Sequence, residues 1–157
     1  MKSSMLLAAA GAAILIPLVL AGGEMREEVA KEKILAAGAE WQEKYDKFEP
    51  EADMVEALKA KLGADLKIDV YLGLWCPDSR ENLPPFIKIL DRVGTGVAVR
   101  YVNVPKKADK ELKYFVEELK VERVPTFIFY RNDAEIGRIV ENPKTSLIED
   151  MMEILFK

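Results

Sequence analysis

The chain has no histidine, and Cys76 is its only cysteine. These two absences exclude a good deal of chemistry. A zinc or iron–sulfur site needs several imidazole or thiolate ligands, so no metal site and no cofactor is expected. Serine–histidine and cysteine–histidine catalytic pairs are excluded for the same reason. A strong charge of either sign is also missing. Lys and Arg total 23 against 27 Asp and Glu, a formal net charge of -4. There is no basic run and no mixing of aromatic residues with Lys and Arg, so nucleic acid is not an expected partner. No repeat or low-complexity segment occurs. Half of the 157 residues are apolar and about a third are charged. That is an ordinary globular mix, long enough for one domain with its own core.

Long apolar runs are absent except at the N-terminus. Lys2 is the only charge before Glu24, and Met5 to Ala21 is unbroken by any polar side chain. The run is short for a spanning helix and long enough for the apolar region of a signal peptide. Residues 1–23 are therefore expected to be a signal peptide, cleaved after Ala21 or Gly23, or a retained membrane anchor acting through residues 5–21. Acidic charge after the run, with Lys2 before it, favours the body of the protein outside the cytoplasm, periplasmic or secreted. Export would place Cys76 in an oxidising compartment, where a lone thiol is either buried and inert or free and reactive.

From Glu24 to Phe48, Ala30, Ile34, Ala37, Trp41, Tyr45 and Phe48 fall at three- and four-residue steps. The spacing predicts one helix with a single apolar stripe, packed on the body or serving as a spacer. A shorter helix follows over Glu51 to Leu62, stopped by Gly63. Leu66, Ile68, Val70 and Leu72 alternate with polar residues or tyrosine, a strand pattern. The turn Trp75-Cys76-Pro77-Asp78-Ser79 then leads into a helix from Pro77 to about Val93. Proline suits the first helical position, where a missing N–H costs nothing. A strand is expected over Val97 to Val104 and a charged amphipathic helix over Ala108 to Lys120. The buried run Phe127 to Tyr130 precedes turn residues Arg131 to Ala134, a return strand Glu135 to Val140 and a last helix. Thr145 or Ser146 can cap that helix, with Glu149 placed for a capping box on Ser146.

Cys76 thus sits where a strand gives way to a helix. The free N–H groups and positive dipole end of a helix favour a thiolate over a thiol. The negative charge of Asp78 opposes that effect and the positive charge of Arg80 assists it.

The element order resembles that of the thioredoxin superfamily. Trp75-Cys76-Pro77-Asp78-Ser79 lies where the family carries Trp-Cys-x-x-Cys. Pro84 matches the proline that kinks the family's active-site helix. Val124-Pro125-Thr126 matches the cis-proline segment that faces the active-site cysteine, and Asn103 ends the second core strand as an asparagine does in thioredoxins. The resemblance covers roughly Asp65 to Lys157, and Glu51 to Leu62 could supply the leading helix. It implies an α/β thioredoxin fold over 51–157, with a central mixed sheet of four to five strands flanked by helices. Residues 24–50 would be an extra N-terminal helix.

Two departures from the family pattern bear on function. Ser79 replaces the second cysteine, and Ser79 cannot resolve a mixed disulfide. Its hydroxyl could still donate a hydrogen bond to a Cys76 thiolate. Val70 occupies the position of the family's buried acid. Asp69 is its neighbour, but successive strand side chains point to opposite faces. Two readings follow from the resemblance. One is a monothiol protein acting in thiol–disulfide exchange or mixed-disulfide capture through Cys76, with Ser79 beside it. Its partner would be a protein client or a small thiol or disulfide. The other is a redox-inactive binding or assembly protein. In either, Trp75, Pro77, Asp78, Val124 and Pro125 would line the binding groove.

Overall fold

The alternation of Leu66, Ile68, Val70 and Leu72 becomes the central strand of a five-stranded sheet. The structure is a computed structural model that describes residues 27–157 apart from 95, 105, 107–114 and 116. In chain order it runs β1 (Glu27–Glu28), α1 (Lys31–Leu35), α2 (Ala39–Lys47), α3 (Ala52–Lys59), β2 (Leu66–Leu72), α4 (Pro77–Val93), β3 (Ala98–Asn103), β4 (Thr126–Arg131), β5 (Ala134–Val140) and α5 (Leu147–Leu155). The sheet order is β1-β3-β2-β4-β5. β2 and β3 are parallel, joined through α4, whereas β4 is antiparallel to both β2 and β5, and β1 is antiparallel to β3. The result is a mixed α/β sheet with the strand-to-helix turn after β2 at its centre.

The two faces of β2 serve two cores. Ile68, Val70 and Leu72 join side chains from α1 to α5, among them Ile34, Trp41, Leu58, Phe86 and Met151. Tyr71 faces the other way, against Val102, Val104, Phe115, Val121 and Ile128. Asp69 shares the Tyr71 side by strand alternation. Only 2% of it is exposed, and Arg100 grips its carboxylate with two hydrogen bonds, of 3.2 and 2.6 Å. Val70, on the other face, is fully buried.

The single helix expected over 24–50 is not what forms. β1 pairs with β3, Glu27 opposite Asn103 and Glu28 opposite Val102, and Val29 N–H donates to Tyr101 O at 3.0 Å. Two short helices follow, α1 and α2, separated at Ala36–Gly38. Gly38 is extended (φ 175°, ψ 159°) and starts α2 afresh. The apolar stripe is real, since Ile34 and Trp41 are buried, but two helices carry it. Edge hydrogen bonds of β3 recruit the first residues, and Gly38, a poor helix former, lets the chain turn between the two helices. Val29, Ile34 and Trp41 enter the main core. The apolar run 5–21 lies outside the described residues. So does most of the helix expected over Ala108–Lys120, although Phe115 and Glu117 within it are helical.

The remaining elements follow their local signals. α4 starts with Pro77 at its first position and runs on through Pro84 and Pro85. It ends at Gly94, whose left-handed backbone (φ 65°) suits glycine. Asn132 and Asp133 both have positive φ, 51° and 62°, as the tight turn of the β4–β5 hairpin requires. Ser146 caps α5: its Oγ accepts the Glu149 N–H at 3.3 Å and donates to the Glu149 carboxylate at 2.6 Å.

Candidate functional site at the Cys76 turn

Each residue between β2 and α4 is tied to something. Cys76 N–H donates to Gly73 O at 2.9 Å, closing a turn over residues 73–76. Leu74 N–H donates to Asn103 Oδ1 at 3.2 Å, so the asparagine ending β3 holds the turn from the side. Trp75 Nε1 donates to Val104 O at 2.9 Å, yet 43% of the residue is exposed. Its indole folds back over Gly73: a Cβ on Gly73 would sit 2.8 Å from Trp75 Cε2. Lys106 Nζ lies 5.9 Å from the indole centroid, within cation–π range.

Cys76 is the N-cap of α4, extended at φ -91° and ψ 125°, and its carbonyl accepts the Arg80 N–H at 3.1 Å. The thiol is free and 7% exposed. Its Sγ donates to the carbonyl oxygen of Val124 at 3.2 Å. The Val124–Pro125 peptide bond is cis. β2 and β4 are antiparallel neighbours, with Tyr71 opposite Thr126, so the end of β2 and the start of β4 converge here. A groove of about 420 Å³ opens beside the thiol. Trp75, Cys76, Pro77, Asp78 and Val124 line it, with Val104, Val121 and the Arg123–Glu141 ion pair. The hydrogen bond that Arg123 donates to Glu141 at 2.7 Å holds its guanidinium further toward the charged form.

Ser79 is completely buried, and its Oγ accepts the Gly73 N–H at 3.1 Å. One turn into α4, it reaches back under the loop, where an unpaired amide needs an acceptor. Arg80 has a partner of its own. It pairs with Glu40 of α2 at 2.6 Å, because the helix periodicity aims it at the neighbouring helix. Pro125 is buried behind Val124 and does not itself line the groove. Among the described residues, no three side chains of His, Cys, Asp or Glu gather as a metal site.

Several residues escaped sequence reasoning. Asn82 is buried in α4, and its Nδ2 lies within 3.1 Å of Asp78 O, Glu141 O and Asn142 Oδ1. A polar residue on the inner face of a helix is a usable signal. Arg123, Glu141 and Lys106 gave none, since nothing local marks their approach to Cys76.

The mixed sheet flanked by helices, with the strand-to-helix turn at its centre, defines the class: a thioredoxin-like α/β fold. The chain belongs to the thioredoxin family, whose profile, described as Thioredoxin, matches residues 22–153. Thioredoxin H5 of Arabidopsis thaliana is 30% identical over 83 residues, which cover 53% of this chain and 65% of that protein. The match thus spans just under two thirds of that relative. Among solved structures, a Pseudomonas aeruginosa protein of unknown function shares the fold with a TM-score of 0.54 at 16% identity, over 82% of this chain and 84% of that one. Thioredoxin O2 of Arabidopsis thaliana, in its oxidized state, is similar at 25% identity and a TM-score of 0.45, over 70% of this chain and 92% of that one.

Proposed function

We propose that this chain performs monothiol thiol–disulfide exchange through Cys76, outside the cytoplasm. The observation that carries the reading is the position of Cys76 Sγ, at the start of α4 and 3.2 Å from Val124 O, with Ser79 one turn on. The Cys76 thiolate attacks one sulfur of a client disulfide. A bond forms between Cys76 and that sulfur, and the other client sulfur leaves as a thiolate. Ser79 has no sulfur with which to break the new bond. An external thiol, as its thiolate, attacks the mixed disulfide, takes the client sulfur and releases Cys76. The client disulfide is thereby exchanged for one with the external thiol, with no net oxidation. The apolar run 5–21, with Lys2 before it and acidic residues after, supports export or anchoring.

A second reading draws on one observation: the thiol is 7% exposed and already engaged with Val124 O. Under it the groove binds a protein partner without covalent chemistry. Trapping separates the two. Intact cells are quenched with acid and alkylated, and Cys76 adducts are resolved on non-reducing gels. A disulfide-linked species released by a small thiol and lost in Cys76→Ser supports exchange. A thiol that stays free, with a partner still captured by Cys76→Ser, overturns it. Protease accessibility of the body in intact spheroplasts tests the location.

A further inference from the structure

Glu141 makes three chemically different attachments at the groove. Its carboxylate accepts from Arg123 Nη1 at 2.7 Å. Its backbone N–H donates to Pro125 O at 2.7 Å. Its own carbonyl accepts from Asn82 Nδ2 at 3.1 Å, on the far side, in α4. Residues 123 and 125 flank Val124, whose carbonyl holds the Cys76 thiol. One residue therefore grips the segment on both sides of the thiol's acceptor and ties it to the helix that the thiol starts. Glu141 does so in a left-handed backbone conformation (φ 57°), which side chains other than glycine rarely adopt. The Asn82 amide, buried and also bonded to Asp78 O and Asn142 Oδ1, holds it there.

We propose that Glu141 is a positioning residue for the Cys76 site, clipping the Arg123–Pro125 segment so that the groove wall beside the thiol stays in place for a peptide client. The inference rests on the monothiol reading above. A small disulfide touches the thiol and little else. A disulfide carried on a peptide must also lie along the wall that Arg123, Val124 and Glu141 form. Loosening the clip should therefore discriminate between the two substrates.

The test uses the full chain and two probes with the same leaving group. One is 2-mercaptoethanol and the other a short unstructured cysteine peptide, each joined by a disulfide to 2-nitro-5-thiobenzoate. Attack by Cys76 forms its disulfide with the mercaptoethanol or peptide sulfur and releases the coloured thiolate. Glu141→Gln keeps the shape and both backbone bonds and removes the negative charge that faces Arg123. It should slow the peptide probe about tenfold and leave the small probe within about threefold of wild type. The double variant Arg123→Glu/Glu141→Arg should recover most of the peptide rate. High salt should lower the peptide-to-small ratio in wild type and not in Glu141→Gln, because this ion pair is partly exposed and screened. The salt comparison needs no charge-swapped protein to fold. An unchanged peptide rate in Glu141→Gln, or an equal fall with both probes, overturns the inference. Failure of wild type to release colour from either probe overturns the monothiol reading instead.

Discussion

The hydroxyl of Ser79 accepts the backbone N–H of Gly73 at 3.1 Å, inside the protein and away from solvent. Gly73 O in turn accepts the Cys76 N–H. Ser79, three residues after the cysteine, thus braces the loop that carries it. Ser79→Ala would leave the Gly73 amide buried without an acceptor, at a cost of about 1–3 kcal/mol. Urea denaturation should show that loss, and Cys76 should still form a mixed disulfide with a small disulfide. Unchanged stability would mean that the strap contributes nothing.

Gly73 leaves room for the Trp75 indole. A methyl group at residue 73 would stand 2.8 Å from Cε2 and 3.0 Å from Nε1 of Trp75. Gly73→Ala should push the indole outward and break its bond to Val104 O. Tryptophan fluorescence should shift to the red, with Trp41, buried in the core, as a constant background. A spectrum identical to wild type would show that the ring can stay where it is.

The Asp69–Arg100 pair lies on the opposite face of β2 from Val70. Asp69 is buried, with Lys67 Nζ as a second, longer ion-pair partner at 3.7 Å, so Arg100→Ala removes its two close hydrogen bonds and should cost up to about 3 kcal/mol in urea denaturation. Arg100→Lys keeps the charge and loses the two-pronged geometry, so its loss should be intermediate. Neither variant should alter the reaction of Cys76 with a small disulfide. A matching loss of thiol reactivity would show that Asp69 communicates with the site.

Alkaline pH should destabilise the fold through two tyrosines. Burial, aided by the nearby charges of Asp91 and Glu32, pushes the Tyr101 phenol above its ordinary value of 10.0. Its hydrogen bond to Asp91 pushes Tyr45 up to about 12. As pH passes about 10, the unfolded chain loses these protons first, so it gains relative to the fold. Stability is full below that pH and falls above it, as pH rises towards the folded values. Tyr101 Oη has no hydrogen-bond partner among the described residues. Tyr101→Phe should therefore hold neutral-pH stability within about 1 kcal/mol of wild type or raise it. It should also move the alkaline unfolding midpoint upward. A midpoint that does not move would assign the effect to other groups.

The sequence carried the elements with strong local signals. The alternation over Leu66–Leu72, Pro77 as a helix start, Gly94 as a stop, the 131–134 turn and the Ser146 cap all appear where periodicity and capping chemistry put them. The segment over 24–50 departs from its helical spacing for a physical reason. Three- and four-residue spacing persists across α1 and α2, but spacing does not reveal that Gly38 restarts the helix or that β3 has a free edge for β1.

Sequence by itself determined the chemistry available here: one thiol, no histidine, a serine three residues after the cysteine and a Val-Pro pair to face it. Those are facts of composition and spacing, and no fold can change them. Tertiary structure decided how that chemistry is deployed. It gave the Ser79 hydroxyl to Gly73, turned Arg80 to Glu40, and brought Glu141 and Asn82 together around Val124. Apart from the Ser79–Gly73 bond, these contacts join residues 18 to 60 apart and depend on how strands and helices pack, which no local pattern encodes.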